Sequence, residues 1–312
     1  ERLNFIDEGT YGLVFRAREV ATGHIYALKQ IKLANEREGF PITSLREINL
    51  LLKVRHPNVV HVREVVIGST LDKIYMVMEY AEHDLKAVLD TARRPFTQSE
   101  VKCLLRQLLC GVEHLHDNWI LHRDLKTSNI LLNAQGILKL CDFGLARQYG
   151  DPLERYTQMV CTLWYRAPEL LFGTEEYTPG IDIWAVGCIF AELLTLEPLI
   201  PGKGELSQIS KMIKLLGSPS EAVWPGFSQL PHAKTLNIPV QDTSHLWSHF
   251  ERDNVTTVTA EGFRLLSAML TYDPSRRITA TEALDHAYFR EPPPPCEPAL
   301  LQTFPESNAG RR

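Results

Sequence analysis

The sequence has few features that would place the protein outside the class of ordinary folded domains. Its six cysteines include no C-x-x-C pair, so neither a disulfide framework nor a zinc site of that type is expected. The longest apolar stretch, residues 181–196, is interrupted by Asp182 and Glu192 and predicts a core helix rather than a membrane span. A basic excess is also missing. Because the formal net charge is −5, no direct nucleic-acid or membrane partner is expected.

The sequence does contain a change of periodicity near residue 80. Before it, three short β-like runs alternate with turn residues: 13–17, 25–31 and 74–78. One helical segment, at about 43–54, interrupts them. After residue 80 helical periodicity dominates, beginning with a capping-box pattern at 97–100. We predict a small β-sheet lobe with one key helix, a larger α-helical lobe and a proline-rich tail: 1–80, 81–290 and 291–312.

Residues 9–12 form a glycine-rich segment. Gly9 and Gly12, followed by Val14, lie between two predicted strands, where small residues let backbone N–H groups approach phosphate oxygens. Such a hairpin alone is more often a simple turn. Lys29 lies on the next predicted strand, and Glu47 follows on the predicted helix, where a glutamate can hold the ammonium against phosphates. Together these residues predict a nucleotide phosphate site.

The strongest pattern is His-Arg-Asp-Leu-Lys-Thr-Ser-Asn at 122–129. It matches the catalytic-loop pattern H-R-D-L-x-x-x-N at every fixed position. Asp-Phe-Gly at 142–144 and Ala-Pro-Glu at 167–169 follow in the order found in protein kinases. The chain is therefore identified as a member of the protein kinase family. This resemblance implies an α+β, bilobal protein-kinase fold, with a small β-sheet N-lobe and a larger α-helical C-lobe.

The resemblance also implies the chemistry. Phosphoryl transfer depends mainly on positioning and on electrostatic stabilisation, so ATP and Mg²⁺ are the expected cofactors. Asp142 and Asn129 match the metal ligands of the family. Asp124 is expected to orient the incoming hydroxyl, and Lys126 to reach the γ-phosphate. Lys126 together with Thr162 resembles the serine/threonine kinases, which implies an aliphatic hydroxyl as acceptor.

The adenine site is carried over by alignment of the same motifs. The base is expected against the backbone of Glu79, Tyr80 and Ala81, with Met78 behind it and Asp84 near the ribose. The remaining residues expected to bind the nucleotide are the apolar walls and the phosphate-binding groups: Val14, Ala27, Leu132, Gly9, Gly12, Lys29 and Asp142. Apolar walls of this kind suit a purine.

A narrower resemblance comes from residues 41–47, which spell Pro-Ile-Thr-Ser-Leu-Arg-Glu. This is the helix sequence after which the PITSLRE group of cyclin-dependent kinases is named, and residues 116–129 and 162–169 are similar to the same group. The resemblance implies a cyclin partner, of the L type, and protein substrates with Ser-Pro or Thr-Pro. It also implies a nuclear location, with the cytoplasm as a second compartment, and roles in transcription, pre-mRNA processing or cell-cycle control.

Regulation is implied by the same resemblance. Thr157 is the expected activating phosphorylation site, and its phosphate would add nearly two negative charges. The arginines expected to bind that phosphate are Arg46, Arg123 and Arg147. Thr10 and Tyr11 resemble an inhibitory phosphorylation pair, with plain loop residues as the alternative.

Other interpretations remain open at this point. A pseudokinase scaffold that binds a cyclin would share the fold, although every catalytic position is filled here. A mitogen-activated kinase is switched by a Thr-x-Tyr pair, whereas this loop has Tyr156 followed by Thr157. Another transcription-linked cyclin-dependent kinase would share the tail pattern. The chain also departs from the general pattern, because Asp7 occupies the first glycine position of the glycine-rich loop.

Overall fold

A computed structural model of the chain describes residues 1–9, 12–31, 42–68, 73–150, 162–236, 240–251 and 258–304. The chain divides into two compact units. The first contains Glu1–Thr91, Thr127–Ala146 and the segment from Pro298 onward, and the second contains Ala92–Lys126 and Arg147–Glu297. Each unit consists of separate segments of the sequence, whereas each predicted lobe is one continuous segment. The boundaries of the lobes stay a prediction.

The first unit is built on a five-stranded antiparallel sheet of order β1-β2-β3-β5-β4. Its strands are β1 (Arg2–Gly9), β2 (Gly12–Arg18), β3 (Ile25–Ile31), β4 (Val62–Ile67) and β5 (Ile74–Glu79). Strand β3 lies in the centre, and its side chains alternate between the two faces of the sheet. Ala27, Lys29 and Ile31 are all buried on one face. Lys29 is therefore a core lysine and not a solvated edge residue.

Helix α1 (Ile42–Lys53) is the single long helix expected beside this sheet, and the predicted bounds differ from it by one residue. Glu47, Ile48 and Leu51 are buried. The helix packs against a short 3-10 turn at Phe143–Leu145, so the helix that carries Glu47 contacts the segment that follows Asp142.

The rest of the first unit is a small sheet and one short helix. The sheet has the order β6-β8-β9, with β6 (His83–Asp84), β8 (Ile130–Leu132) and β9 (Leu138–Leu140). Helix α2 (Leu85–Thr91) follows β6 directly, and the carboxylate of Asp84 accepts a hydrogen bond from the backbone N–H of Ala87 at 2.7 Å. The start of α2 thus fixes the position of Asp84.

The second unit is mainly helical. Its helices are α3 (Gln98–Asp117), α4 (Pro168–Leu171), α5 (Gly180–Thr195), α6 (Glu205–Leu216), α7 (Leu246–Glu251), α8 (Ala260–Met269) and α9 (Ala280–Leu284), beside a strand pair of β7 (Ile120–Leu121) and β10 (Arg147–Gln148). The predicted capping box of α3 is confirmed. Every residue of α5 from Ile181 to Leu194 is buried, as predicted for a central helix. None of the helices in the described ranges is both long and apolar enough to span a membrane.

The first part of the proline-rich tail is bound to α3. Lys102 has no exposed surface, and its Nζ donates to the carbonyl oxygens of Glu291 and Pro293 at 2.9 and 2.8 Å. The ammonium also lies 4.8 Å from the centre of the Tyr288 ring. Proline has no N–H group to donate, so a segment rich in proline is held through its carbonyls.

Candidate active site

A cavity of about 350 Å³ lies within the first unit. Its lining contains every residue predicted to bind the nucleotide except Gly9 and Leu132, and it also contains the predicted metal ligand Asn129 and the predicted ion-pair partner Glu47. Gly9, at the end of β1, pairs with Gly12 at the start of β2. Residues far apart in the sequence therefore come together around one cavity.

The prediction of Leu132 as a wall of this cavity is corrected by the structure. Leu132 is 3% exposed and pairs with His83 on β6, whereas the neighbouring Leu131 lines the cavity. Successive side chains of a strand point to opposite faces, so an error of one residue moves the side chain to the other side of the sheet.

Several lining residues were not among those predicted. They are Ile6, Asp7, Leu51, Val60, Ser128, Leu131 and Cys141. Leu51 lies four residues after Glu47 on α1, so helical spacing alone identifies it. Val60 has no such local signal, because a contact with a distant strand fixes its position. Its backbone N–H donates to the carbonyl of Leu140 in β9 at 2.9 Å. Burial raises the pKa of the Cys141 thiol, which therefore lines the cavity as a neutral group.

Lys29 is held in the cavity by two carboxylates. Its Nζ lies 2.6 Å from Oε1 of Glu47 and 3.3 Å from Oδ1 of Asp142. Burial disfavours the charged form of Lys29, but the attraction of Glu47 and Asp142 outweighs burial and raises its pKa above the ordinary value. The cavity consequently contains one fixed positive charge, as a site for phosphate requires.

Asp142 and Asn129 supply oxygen ligands to the same cavity. Asp142 adopts a left-handed backbone conformation with φ of 61°, which is costly for a residue other than glycine. Its side chain is 32% exposed, and the backbone N–H of Cys141 donates to the carbonyl of Asn129 at 3.0 Å. Carboxylate and amide oxygens are hard ligands of the kind that Mg²⁺ prefers, so the donor set fits this ion.

The end of β5, where the cavity wall continues into Tyr80, is braced by Glu79. One carboxylate oxygen of Glu79 accepts from the backbone N–H of His61 at 2.7 Å, and the other lies 2.9 Å from Nζ of Lys139. Lys139 also donates to the carbonyl of Pro57 at 2.9 Å. The wall is thereby tied to two other segments of the first unit.

The second unit contains a separate polar cluster around Asp124. Oδ2 of Asp124 accepts from Nζ of Lys126 at 2.8 Å, and Oδ1 accepts from both the N–H and the hydroxyl of Thr162 at 3.1 Å. Asp124 is 7% exposed. The structure therefore brings together three residues predicted to act on the phosphate acceptor, and both oxygens of Asp124 are held in place.

Asp182 supports the segment that carries Asp124. Its two carboxylate oxygens accept the backbone N–H groups of His122 and Arg123, each at 2.9 Å, and Oδ2 also lies 3.0 Å from Nε2 of His116. Burial alone would raise the pKa of Asp182, but the hydrogen bond and charge of His116 hold it below the ordinary value. Arg123 has a φ of 65°, so this support holds a strained backbone.

The predicted phosphate-binding arginines occupy different environments. Arg123 is 1% exposed and donates to the hydroxyl of Tyr177 at 2.6 Å. Arg147 lies on β10 opposite Leu121, two residues before Arg123. Arg46 is exposed on α1. Thr157, Thr10 and Tyr11 lie outside the described residues, so their regulatory roles stay predictions.

Comparison with known proteins identifies the class. A profile of the protein kinase domain matches residues 1–289, and the chain belongs to this family. It is 57% identical over 311 residues to cyclin-dependent kinase G-2 of Oryza sativa subsp. japonica, which covers 99% of this chain and 44% of that protein. It is 55% identical over 303 residues to cyclin-dependent kinase 11B of Rattus norvegicus, covering 97% of this chain and 69% of that protein.

A third relative is the serine/threonine-protein kinase PITSLRE of Drosophila melanogaster, 52% identical over 315 residues, which covers 99% of this chain and 33% of that protein. Within the family the chain thus belongs with the cyclin-dependent kinases of the 11, PITSLRE and G types. It is a protein kinase domain, and these three relatives are named as cyclin-dependent or serine/threonine kinases. The chain spans less than half of the rice and Drosophila proteins that it matches.

Proposed function

We propose that this chain transfers the γ-phosphate of ATP to serine or threonine side chains of proteins when a cyclin is bound. The observation that carries the proposal is the cluster of Lys29, Glu47 and Asp142 in a cavity of about 350 Å³. A fixed cation between two carboxylates, beside oxygen ligands for a divalent ion, is the arrangement that phosphoryl transfer from a nucleotide requires.

The first unit binds and orients the nucleotide. Lys29 would contact the α- and β-phosphates, and Glu47 holds the lysine in place for this contact. Asp142 and Asn129 would hold Mg²⁺, which would supply positive charge to stabilise the phosphates. Ala27 and Leu131 line the part of the cavity that would receive the adenine, and the carboxylate of Asp84 would accept a hydrogen bond from the ribose.

The second unit prepares the acceptor. Asp124 would accept a hydrogen bond from the incoming hydroxyl and receive its proton as the new O–P bond forms and the bond from the γ-phosphorus to the β,γ-bridging oxygen breaks, which releases ADP. Lys126, which donates to Asp124, stabilises the carboxylate before it takes up the proton and would stabilise charge on the transferred group. Thr162 fixes Oδ1 of Asp124 through two hydrogen bonds, so the carboxylate is preorganised for this role.

The partner and the substrates are the finer part of the proposal. Relatives named as cyclin-dependent kinases support a cyclin partner, and we propose one of the L type, bound at α1. We propose substrates with Ser-Pro or Thr-Pro, a nuclear location with the cytoplasm as a second compartment, and roles in transcription, pre-mRNA processing or cell-cycle control. By the family resemblance, Cys161 belongs to the floor of the pocket that receives the residue after the phosphate acceptor, and it lies outside the described residues.

Phosphate transfer to a Ser-Pro peptide tests the proposal. Transfer from ATP and Mg²⁺ is measured with and without an L-type cyclin, and a Ser-Ala peptide of otherwise identical sequence is the substrate control. We expect transfer that depends on the cyclin and favours the Ser-Pro peptide. Cyclin-independent transfer would remove the partner from the proposal, and equal use of both peptides would remove the proline preference. No transfer with Thr157 phosphorylated would favour a scaffold without catalytic activity.

Asp7 gives a prediction about nucleotide affinity. Its exposed side chain lines the cavity and places a negative charge where the triphosphate is expected to bind. Removing one exposed charge is worth up to about 1 kcal/mol. We expect Asp7→Gly to tighten ATP binding by about two- to fivefold, measured as the Kd for MgATP by calorimetry.

Asp7→Asn is the matched variant, because it removes the charge and keeps the side chain. If charge is the cause, Asp7→Asn also tightens binding. Unchanged or weaker affinity of both variants would show that Asp7 does not repel the nucleotide.

A further inference from the structure

The last described part of the tail, residues 298–304, packs on the first unit. A short 3-10 turn at Pro298–Leu300 is closed by a hydrogen bond from the N–H of Leu301 to the carbonyl of Pro298 at 3.1 Å. Leu301 is 8% exposed, whereas the adjacent Leu300 is 71% exposed. The segment therefore has one face bound to the unit and one face in solvent.

The hairpin that joins β8 and β9 is shaped to receive this segment. Gly136 has a φ of 74°, and a Cβ atom at this position would lie 2.0 Å from the carbonyl oxygen of Pro298. Only glycine permits so close an approach of the two backbones. The side chain of Asn133 accepts from the N–H groups of Gln135 and Ile137 at 3.0 and 2.8 Å and so fixes the turn. The contact with the tail is consequently part of the hairpin geometry.

The segment ends against the back of the nucleotide cavity. The ring of Phe304 meets the ring of His83 edge to face, with 6.1 Å between their centroids, and His83 is 7% exposed. Two cross-strand pairs join β6 to β8, one formed by His83 with Leu132 and the other by Asp84 with Leu131. Asp84 and Leu131 line the cavity. Successive side chains of a strand point to opposite faces, so His83 and Leu132 lie on the other face of the same small sheet.

We propose that Phe304 is a positioning residue for nucleotide binding, which acts by holding His83 and thereby the β6–β8 wall from behind. The inference rests on the proposed function, because it assigns the cavity to ATP. Asp84 is fixed on one side by the start of α2 and on the other by its pairing with Leu131 of β8. Loss of the Phe304 contact removes the support that His83 receives from the tail, so the wall expected to contact adenine and ribose becomes less well ordered.

Binding of MgADP to the whole chain, measured by calorimetry, tests this inference without relying on catalysis. We expect Phe304→Ala to raise the Kd by about three- to tenfold, the effect of one aromatic contact, and to leave kcat at saturating ATP nearly unchanged. Leu300→Ala, in the exposed half of the same segment, is the control and is expected to bind like the wild type. Phe304→Leu keeps an apolar side chain and is expected to lie between the two.

A double variant decides whether the effect passes through His83. If it does, Phe304→Ala combined with His83→Ala raises the Kd no further than the more damaging single change. Wild-type affinity in Phe304→Ala, or an equal loss in Leu300→Ala, would overturn the inference and leave the proposed function intact. A wild-type chain that fails to bind MgADP would overturn both. Thermal unfolding of each variant confirms that the protein is folded, and a loss of kcat with an unchanged Kd would also overturn the inference.

Discussion

Replacing Asp124 by asparagine is expected to lower kcat for phosphate transfer by about 10²–10⁴-fold, the usual contribution of a positioned general base. Asparagine keeps the shape of the side chain but cannot accept a proton, and its amide nitrogen cannot accept the hydrogen bond of either Lys126 or Thr162. The affinity for MgADP should not change, because the nucleotide cavity belongs to the first unit and is lined without Asp124. Steady-state transfer to a Ser-Pro peptide with cyclin present measures kcat.

The control for this variant is Asp242→Asn, which makes the same chemical change at an exposed position of the same unit. It is expected to retain full activity. An Asp124→Asn enzyme that keeps more than about a tenth of the wild-type kcat would contradict the role of Asp124 as base. Equal thermal unfolding temperatures of the two variants would show that the loss is chemical and does not come from unfolding.

Much of the fold could be predicted because local patterns were unambiguous. A short β-like run between turn residues marked β3 as a strand, and the capping box at Thr97 marked the start of α3. The run in α5 that is apolar on most faces predicted a helix buried all round. Each of these signals comes from contacts within a few residues, so the sequence carries it directly.

The contacts between distant segments could not be predicted in the same way. Lys102 appears in the sequence as a polar residue within an amphipathic helix, yet it is fully buried because the tail supplies its acceptors about 190 residues later. The brace between Glu79 and Lys139 has no motif. Likewise, nothing near Gly136 in the sequence indicates that Pro298 approaches it. Such contacts depend on the folded topology.

The residues of the candidate site could be predicted because spaced motifs encode their chemistry. The ion pair between Lys29 and Glu47 is the arrangement that those motifs imply. The error at Leu132 shows the limit of alignment, because a shift of one residue along β8 exchanges the cavity face for the opposite face. The left-handed backbone of Asp142 could not be predicted in this way, because aspartate adopts that conformation more often than most residues but only at a minority of positions.

The second large effect is expected on stability and concerns Arg277, which forms an ion pair with Glu169. Both nitrogens of its guanidinium fork donate to Glu169, at 2.7 and 2.8 Å, and the group also donates to the carbonyls of Thr271, Gly180 and Tyr272. The two charged side chains are 0% and 2% exposed. Arg277→Met is expected to cost about 3–5 kcal/mol of unfolding free energy, because it leaves a buried carboxylate without its partner.

The double variant Arg277→Met with Glu169→Met separates the pair from the packing around it. Once both charges are gone, no unpaired carboxylate remains, so the double variant is expected to be more stable than Arg277→Met alone. Urea unfolding measures all three proteins. A double variant that loses the sum of the two single losses would mean that the two charges are not coupled. A cost below about 1 kcal/mol for Arg277→Met would mean that water reaches Glu169. Glu169 lies in the Ala-Pro-Glu motif at the start of α4, and its partner Arg277 also donates to the carbonyl of Gly180 at the start of α5. The charged pair therefore fixes α4 against the N-terminus of α5. Because Asp182 of α5 holds the backbone just before Asp124, the pair gives a motif without catalytic chemistry a structural role.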